Sequence, residues 1–310
     1  MKLIIEVKDL VKKYKKSTVN AVDHISFNVE EGEFFAFLGP NGAGKTTTIS
    51  ILTTILSKTA GEVKIVGYDI EKNQNEVRQR VGIIFQNPSL DRNLTAEENI
   101  RLHAILYGLY SYRPSYHFMP DSYKKRVLEL SDLMDLKKDI FKPINTFSGG
   151  MKRKLEIIRG LMHQPKILFL DEPTLGLDPV SRRALWEYLK EVRKKSKTTI
   201  FLTTHYLDEA EDTDHTAIIN FGKIVEFGTP SQIKKKLVKE YLVVDAIDRK
   251  KLKEELKEKR IKFYEADGLR VDVKQEHIKE TLDRIKTPLS VVKTHVPSLE
   301  DAYLEVVKTE

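Results

Sequence analysis

The chain has 310 residues, 53 Lys and Arg against 46 Asp and Glu, a formal net charge of +7 and no cysteine. That length allows two domains with a real core, and the missing thiols exclude disulfides and thiolate metal sites. No run approaches the roughly 18 uninterrupted apolar residues of a membrane helix, and no long apolar stretch precedes Glu6, so neither a span nor a secretory signal is expected. The basic excess is interleaved with acid, as in Arg249 to Arg260, which reads as a solvated helix face. No basic segment alternates with aromatics as a base-stacking platform would, so no nucleic-acid partner is expected.

Taken in chain order, Ile4 to Val7, Ala21 to Val29 and Phe34 to Leu38 read as strands. Gly39-Pro40-Asn41-Gly42-Ala43-Gly44-Lys45-Thr46-Thr47 follows, and then a helix-like run from Thr48 to Leu56. Strand, glycine loop, Gly-Lys-Thr and helix make a phosphate-binding loop of nucleotide triphosphatases. The glycines turn backbone N–H groups toward phosphate oxygens, and the helix adds its positive dipole end. Lys45 places a point charge near the β- and γ-phosphates. The Thr46 hydroxyl suits the oxygen shell of Mg²⁺.

Glu62 to Val66 and Val81 to Phe85 read as further strands. From Gln86 to about Gly160 strand signals stop. Ile100, Ala104 and Leu106 are expected on one helical stripe, and Val127, Leu128, Leu130 and Leu133 on another. The aromatic stretch from Tyr110 to Pro120 between them reads as a packed loop. Phe147-Ser148-Gly149-Gly150-Met151 opens a basic helix, Lys152 to Leu161, and so makes a second anion-seeking helix start. Lys166 to Leu170 is a short apolar run of the kind a buried parallel strand requires. It ends in Asp171 and Glu172, at the sheet edge where α/β folds bind ligands. Asp171 suits Mg²⁺, and Glu172 suits activation of the attacking water.

Ser181 to Ser196 reads as an amphipathic helix and Thr198 to Thr204 as a strand. Ala217 to Asn220 and Lys223 to Phe227 flank Phe221-Gly222 as a hairpin. Strands alternating with helices imply a mainly parallel α/β sheet. From Tyr241 the pattern is strand (Leu242 to Ile247), helix to Lys259, strand (Ile261 to Tyr264), strand (Leu269 to Val273), helix (Gln275 to Ile285), strand (Leu289 to Lys293). That order matches a split βαβ, ferredoxin-like unit. A last helix is expected from Ser298, with Asp301 closing a capping box.

These motifs, in this order, resemble the ATP-binding subunit of an ABC transporter over about residues 2 to 230. The resemblance implies an α/β P-loop NTPase core of ABC ATPase type at 1–230, with a helical subdomain at about 87–160. A small α+β accessory domain then occupies 231–310. It implies that Tyr14 stacks on adenine, and that Gln86 senses Mg²⁺ and the attacking water and faces the membrane partner. It further implies that ATP and Mg²⁺ are held by the loop through Lys45, Thr46, Thr47 and Asp171, and that His205 contacts the γ-phosphate. Ser148, Gly149 and Gly150 would close over ATP held by a second copy or a homologous subunit, head to tail. Asp178, in Gly176-Leu177-Asp178-Pro179, would couple the two sites.

The signature departs from the common form at Phe147 and Met151, where Leu and Gln are usual, but keeps the Ser and both Gly. Those changes, with Pro297 to Glu305, resemble the drug and antibiotic exporter branch, similar to daunorubicin resistance ATP-binding proteins. The implied protein is an ATPase peripheral to the inner face of the cell membrane, in the cytoplasm, serving a separate transmembrane permease. The competing reading is a soluble ATPase of the same type in translation or DNA repair. It would call for two such cores or long heptad coils, and this chain has one phosphate loop and no such coils. A regulatory module with a dead site is opposed by intact Lys45, Glu172 and His205.

Overall fold

The phosphate loop needs a strand that ends where a helix starts, and the chain provides this between Leu38 and Lys45. The computed structural model describes residues 2–86, 89–237, 241–266, 268–273, 277–295 and 298–308. Strands β1 (Leu3–Lys13), β2 (Asn20–Glu30) and β3 (Phe34–Leu38) lead into helix α1 (Lys45–Leu52). The helix thus starts on the loop lysine itself, earlier than the expected Thr48, and stops at Leu52. Then come β4 (Ala60–Ile65), β5 (Tyr68–Asp69), α2 (Gln74–Arg78) and β6 (Val81–Ile84). A helical segment follows: α3 (Ala96–Leu106), α4 (Asp121–Leu133) and α5 (Gly149–Leu161). The chain returns to the sheet with β7 (Ile167–Asp171), α6 (Pro179–Ser196), β8 (Thr199–Thr204), α7 (Leu207–Glu211), β9 (His215–Asn220) and β10 (Lys223–Gly228).

Among the described residues a six-stranded sheet runs β10-β9-β3-β8-β7-β6. The pairs β3/β8, β3/β9, β7/β8 and β6/β7 are parallel. Strands β3, β7 and β8 are buried along their whole length, as both faces of a parallel sheet are covered. Register decides what lies together. Leu38 pairs with Thr204 and Asp171 with Thr203, so the phosphate loop, the Asp171–Glu172 pair and His205 leave the sheet at one carboxyl edge. The antiparallel sheet β2-β1-β4-β5 contributes Val22, Ile25, Phe27 and Val63 to the same core as Phe35, Phe37, Phe169 and Phe201. The Phe201 ring lies 5.0 Å from Phe35, 5.3 Å from Phe169 and 5.9 Å from Phe37.

In the helical segment Ile100 and Ala104 are buried, but Leu106 is 75% exposed; Val127 and Leu130 are buried, but Leu128 is 39% exposed. Both exceptions correct the expected stripes. At 3.6 residues per turn, a position one or two residues past the stripe turns away from it. In the aromatic loop Tyr110 and Tyr116 pack edge-on against Tyr123 at 5.4 and 6.2 Å, while Tyr112 and Phe118 face solvent.

The chain divides into two compact units, residues 1–227 and 228–310. The second holds α8 (Pro230–Leu237), β11 (Tyr241–Asp245), α9 (Arg249–Glu258), β12 (Phe263–Ala266), β13 (Gly268–Asp272), α10 (Ile278–Arg284), β14 (Val291–His295) and α11 (Leu299–Lys308). Its sheet order is β12-β13-β11-β14, with β13 antiparallel between β11 and β12, the arrangement of a split βαβ unit. Leu252 and Leu256 of α9, with Ile278 and Leu282 of α10, cover Leu242, Val244, Leu269 and Val271. Ser298 and Asp301 exchange the two bonds of a capping box, at 3.0 and 3.2 Å. The last strand lies two residues later than expected. Asn87, Gln275 and Pro297, which the sequence reading used, lie outside the described residues. No described helix is long and apolar enough to cross a membrane.

Removing the Phe201 ring should leave a cavity among four phenylalanines. Phe201→Ala is expected to lower stability by about 3–5 kcal/mol, read as a shift of the denaturant midpoint. A midpoint unchanged from that of the unaltered chain would contradict this packing.

Candidate functional site

The loop after β3 closes because two positions admit no side chain. A Cβ on Gly39 would lie 2.3 Å from the Ile219 carbonyl oxygen. One on Gly44, whose φ is +107°, would lie 2.5 Å from that of Ala21. The loop opens into a cavity of about 310 Å³ lined by Pro40, Asn41, Gly42, Gly44, Lys45, Thr46, Thr47, Gln86 and Glu172. Ala43 is buried beneath it and accepts the N–H of Gly222 through its carbonyl. The Lys45 ammonium donates to the carbonyls of Gly39 (2.6 Å) and Pro40 (3.0 Å) and pairs with Glu172 at 3.4 Å. Burial holds its pKa below the usual lysine value, against the opposing charge of Glu172. The Tyr14 hydroxyl lies 3.3 Å from Thr47 Oγ1, and its ring is 44% exposed at the rim.

The sheet edge supplies the acids. Thr203 Oγ1 donates to Asp171 Oδ1 at 2.5 Å, and Thr46 Oγ1 donates to the same oxygen at 3.3 Å. The next residue, Glu172, is buried and has φ +45°. A left-handed conformation in a non-glycine residue costs of order 1–3 kcal/mol and collects at functional sites. Two bonds fix it: its N–H donates to the Thr203 carbonyl (3.2 Å) and hydroxyl (3.0 Å). Gln86 Nε2 donates to Glu172 Oε2 at 3.3 Å. His205 Nδ1 lies 3.5 Å from that oxygen but makes no hydrogen bond although buried. A buried ring nitrogen left without a hydrogen bond is unusual in a folded chain.

A separate cleft of about 190 Å³ lies between α5 and α6 and is lined by Ser148, Gly150, Leu177, Val180 and Ser181 among others. Ser148 caps α5, its Oγ accepting the Met151 N–H at 3.2 Å. Gly149 is open, whereas a Cβ on Gly150 would lie 3.1 Å from Ser181 Oγ. Asp178 caps α6, accepting from Val180 N and Ser181 N at 3.0 Å and from Ser181 Oγ at 2.5 Å. Those Ser181 bonds hold its carboxyl below the usual range. Pro40, Asn41, Gly42, Gly44, Lys45, Thr46, Thr47, Gln86 and Glu172 thus line one cavity, with Tyr14 in contact with Thr47, Asp171 with Thr46 and His205 with Glu172. Ser148 and Gly150 line the other, and Asp178 is bonded to Ser181 in its wall.

A third concavity, a groove of about 560 Å³, is lined by Ile55, Ile83, Phe85, Leu106 and Tyr107. Phe85 joins it directly to Gln86. Behind it the rings of His103, Tyr107 and His163 stack at 4.3 and 5.3 Å. Burial, then the charge of Arg159, pushes His103 down to about 3, and burial lowers His163 as well.

One residue that the motifs do not name joins these parts. Arg153 of α5 is buried beside Glu156. Its Nε donates to the Pro173 carbonyl (2.8 Å), Nη1 to the Phe85 carbonyl (2.5 Å) and to Glu156 (3.0 Å), and Nη2 to the carbonyls of Asp171 (3.2 Å) and Glu172 (3.3 Å). Glu156 in turn accepts the Ser89 N–H at 2.9 Å. In sequence the pair looks like any solvated i,i+3 ion pair; only its place among buried Leu155, Ile157 and Ile158 could have marked it.

The family profile described as ABC transporter matches residues 22–175. The bacitracin transport ATP-binding protein BcrA of Bacillus licheniformis is 36% identical over 252 residues, 81% of this chain and 78% of that protein. The chain belongs to the ABC transporter family. A further ABC relative, the daunorubicin/doxorubicin resistance ATP-binding protein DrrA of Streptomyces peucetius, is 38% identical over 75% of this chain and 67% of its own length. The probable multidrug ABC transporter ATP-binding protein YbhF of Escherichia coli is 36% identical over 74% of this chain, which spans only 38% of YbhF. Among solved structures, an ATP-binding subunit of an ABC transporter superposes with a TM-score of 0.64 at 33% identity, over 75% of this chain and 92% of that one. A dimeric ATP-binding cassette in a post-hydrolysis state with ADP and Pi has a TM-score of 0.64 at 27% identity, over 73% and 98%. The residues matched by the family profile, 22–175, lie within the first unit.

Arg153→Met should strand the Glu156 carboxylate and four carbonyls. A loss of about 3–5 kcal/mol in unfolding free energy is expected, with partial recovery in Arg153→Met/Glu156→Met. Equal stability of Arg153→Met and the unaltered chain would refute the bonding described.

Proposed function

We propose that this chain is the ATP-binding and ATP-hydrolysing subunit of an ABC exporter, driving a separate membrane subunit through nucleotide-dependent closure of a head-to-tail dimer. The observation that carries the proposal is the convergence of Lys45, Gln86 and His205 on the strained, buried Glu172 above the phosphate loop. Residues 1–230 would form the ATP-binding domain, with 87–160 as its helical part, and 231–310 the accessory domain. Export follows from likeness to relatives named for bacitracin transport and for daunorubicin resistance. The cytoplasmic face of the membrane is the corresponding location.

Triphosphate would take the ammonium of Lys45 away from the Gly39 and Pro40 carbonyls and from Glu172. The loop N–H groups and the start of α1 complete the phosphate cradle, with Tyr14 against the base and Thr47 beside it. Thr46 and Asp171 offer hard oxygens that share one hydrogen bond, a fit for Mg²⁺, which needs few protein ligands beside water and phosphate. Bound there, Mg²⁺ would offset phosphate charge. Once Lys45 turns to phosphate, Glu172 is free to accept the proton of an attacking water, which Gln86 orients. His205 Nδ1 then meets the γ-phosphate. Ser148, Gly149 and Gly150 present the positive end of α5 to the γ-phosphate held by the second copy, and Asp178 sits beside the joint. ATP favours the closed pair because it binds that state more tightly; loss of the γ-phosphate removes the difference. The apolar groove at Ile55, Phe85, Leu106 and Tyr107 suits a segment of the membrane subunit and leads to Gln86.

Glu172→Gln keeps the shape of the site while removing the base. With Mg-ATP this chain should shift from monomer to dimer in light scattering after size exclusion, and Ser148→Arg should abolish the shift. A monomer at saturating ATP would sink nucleotide-driven closure. Removing residues 231–310 is expected to leave the Kd for ATP unchanged, checked by equilibrium binding; complete loss of binding would rule out a separate accessory domain.

A further inference from the structure

Glu209 of α7 is a carboxylate only 3% exposed, and among the described residues its bonds are to two hydroxyls and to no cation. Thr174 Oγ1 donates to Oε1 at 2.5 Å and Thr204 Oγ1 to Oε2 at 2.6 Å. Both threonines are buried. The Thr204 hydroxyl also accepts the Tyr206 N–H at 2.9 Å, so its own proton is committed to Glu209. Burying an anion without a countercharge is costly unless its lone pairs are well used. Here each oxygen holds a different loop.

The two loops are those that carry the chemistry. Thr174 stands two residues past Glu172, and Thr204 directly precedes His205. The Thr204 carbonyl also accepts the N–H of Gly39, the first residue of the phosphate loop, at 3.3 Å. The β7/β8 ladder ends at Asp171 and Thr203, so no ladder pair reaches the Thr174 turn, while Thr204 is still held by its pairing with Leu38 of β3. Glu172 Oε2 lies 3.5 Å from His205 Nδ1, but no hydrogen bond joins them. On its other side the ring rests on Tyr206 at 4.1 Å, with the Arg182 guanidinium 4.0 Å from that tyrosine's centroid.

We propose that Glu209 is a positioning residue for ATP hydrolysis: by holding Thr174 and Thr204 together it sets His205 against Glu172 and the terminal phosphate. This rests on the ATPase reading of the site. Two donors require two acceptor oxygens, and only a carboxylate offers both. Glutamine has one, and its amide would face a hydroxyl that has no other place for its proton. The effect should fall on the chemical step and leave ATP binding, which belongs to the phosphate loop, unchanged.

Steady-state ATP hydrolysis by the full chain tests this, with Glu209→Gln, His205→Ala and the double variant. Glu209→Gln should lower kcat by about tenfold or more with KM for ATP unchanged. In the His205→Ala background it should cause no further loss, because the two act as one unit. A loss that persists in that background, or a raised KM at unchanged kcat, overturns the proposal and leaves the ATPase reading standing. Should Glu209→Gln fail to fold, Thr174→Val keeps the carboxylate and cuts one tie. It should show the same kcat loss and the same lack of additivity, and full activity would overturn the proposal. An unaltered chain that binds ATP without hydrolysing it would refute the ATPase reading itself.

Discussion

The Arg153 guanidinium joins the helical segment to the carboxyl edge of the sheet. At and just past the ends of β6 and β7 stand the carbonyls of Phe85, Asp171, Glu172 and Pro173, and such groups are costly when buried unpaired. Arg153 answers four of them at once, at Phe85, Asp171, Glu172 and Pro173, and Glu156 offsets its charge. A lysine, with three donors at a point, could not make this fan. Because Arg153 lies in the same helix that Ser148 caps, the position of that helix start is tied to the Asp171–Glu172 turn. The Phe85 carbonyl ties it to the segment that carries Gln86 and lines the apolar groove.

Within the cavity, electrostatics and strain combine. Glu172 is held in a left-handed backbone conformation by Thr203, and its charge faces Lys45. Neither group is solvated enough to stand alone, so each serves as the other's counter-ion.

The second unit has its own core, built on Leu242, Val244, Leu269 and Val271 under two helices. The Lys- and Glu-rich character of α9 is confined to its outer face, since Leu252 and Leu256 are fully buried.

Local spacing in the sequence was enough to mark the phosphate loop, the Asp171–Glu172 pair, the Ser148 helix start and most strands and helices, but not the short elements β5, α2, α7 and α8. Each is a short-range pattern whose physics acts within a few residues: a glycine turn, an apolar strand, a capped helix. Stripes in the helical segment were legible only where 3.6-residue periodicity was followed strictly, which is why Leu106 and Leu128 face outward. Arg153 and Glu209 were not legible, because a charged residue in a polar stretch looks the same whether it meets water or four carbonyls. Parallel pairing decided the rest. By placing β3 beside β8 and β8 beside β7, it brought Lys45, Glu172 and His205 to one edge across long stretches of chain, and strand register is a contest between distant segments that no local pattern encodes.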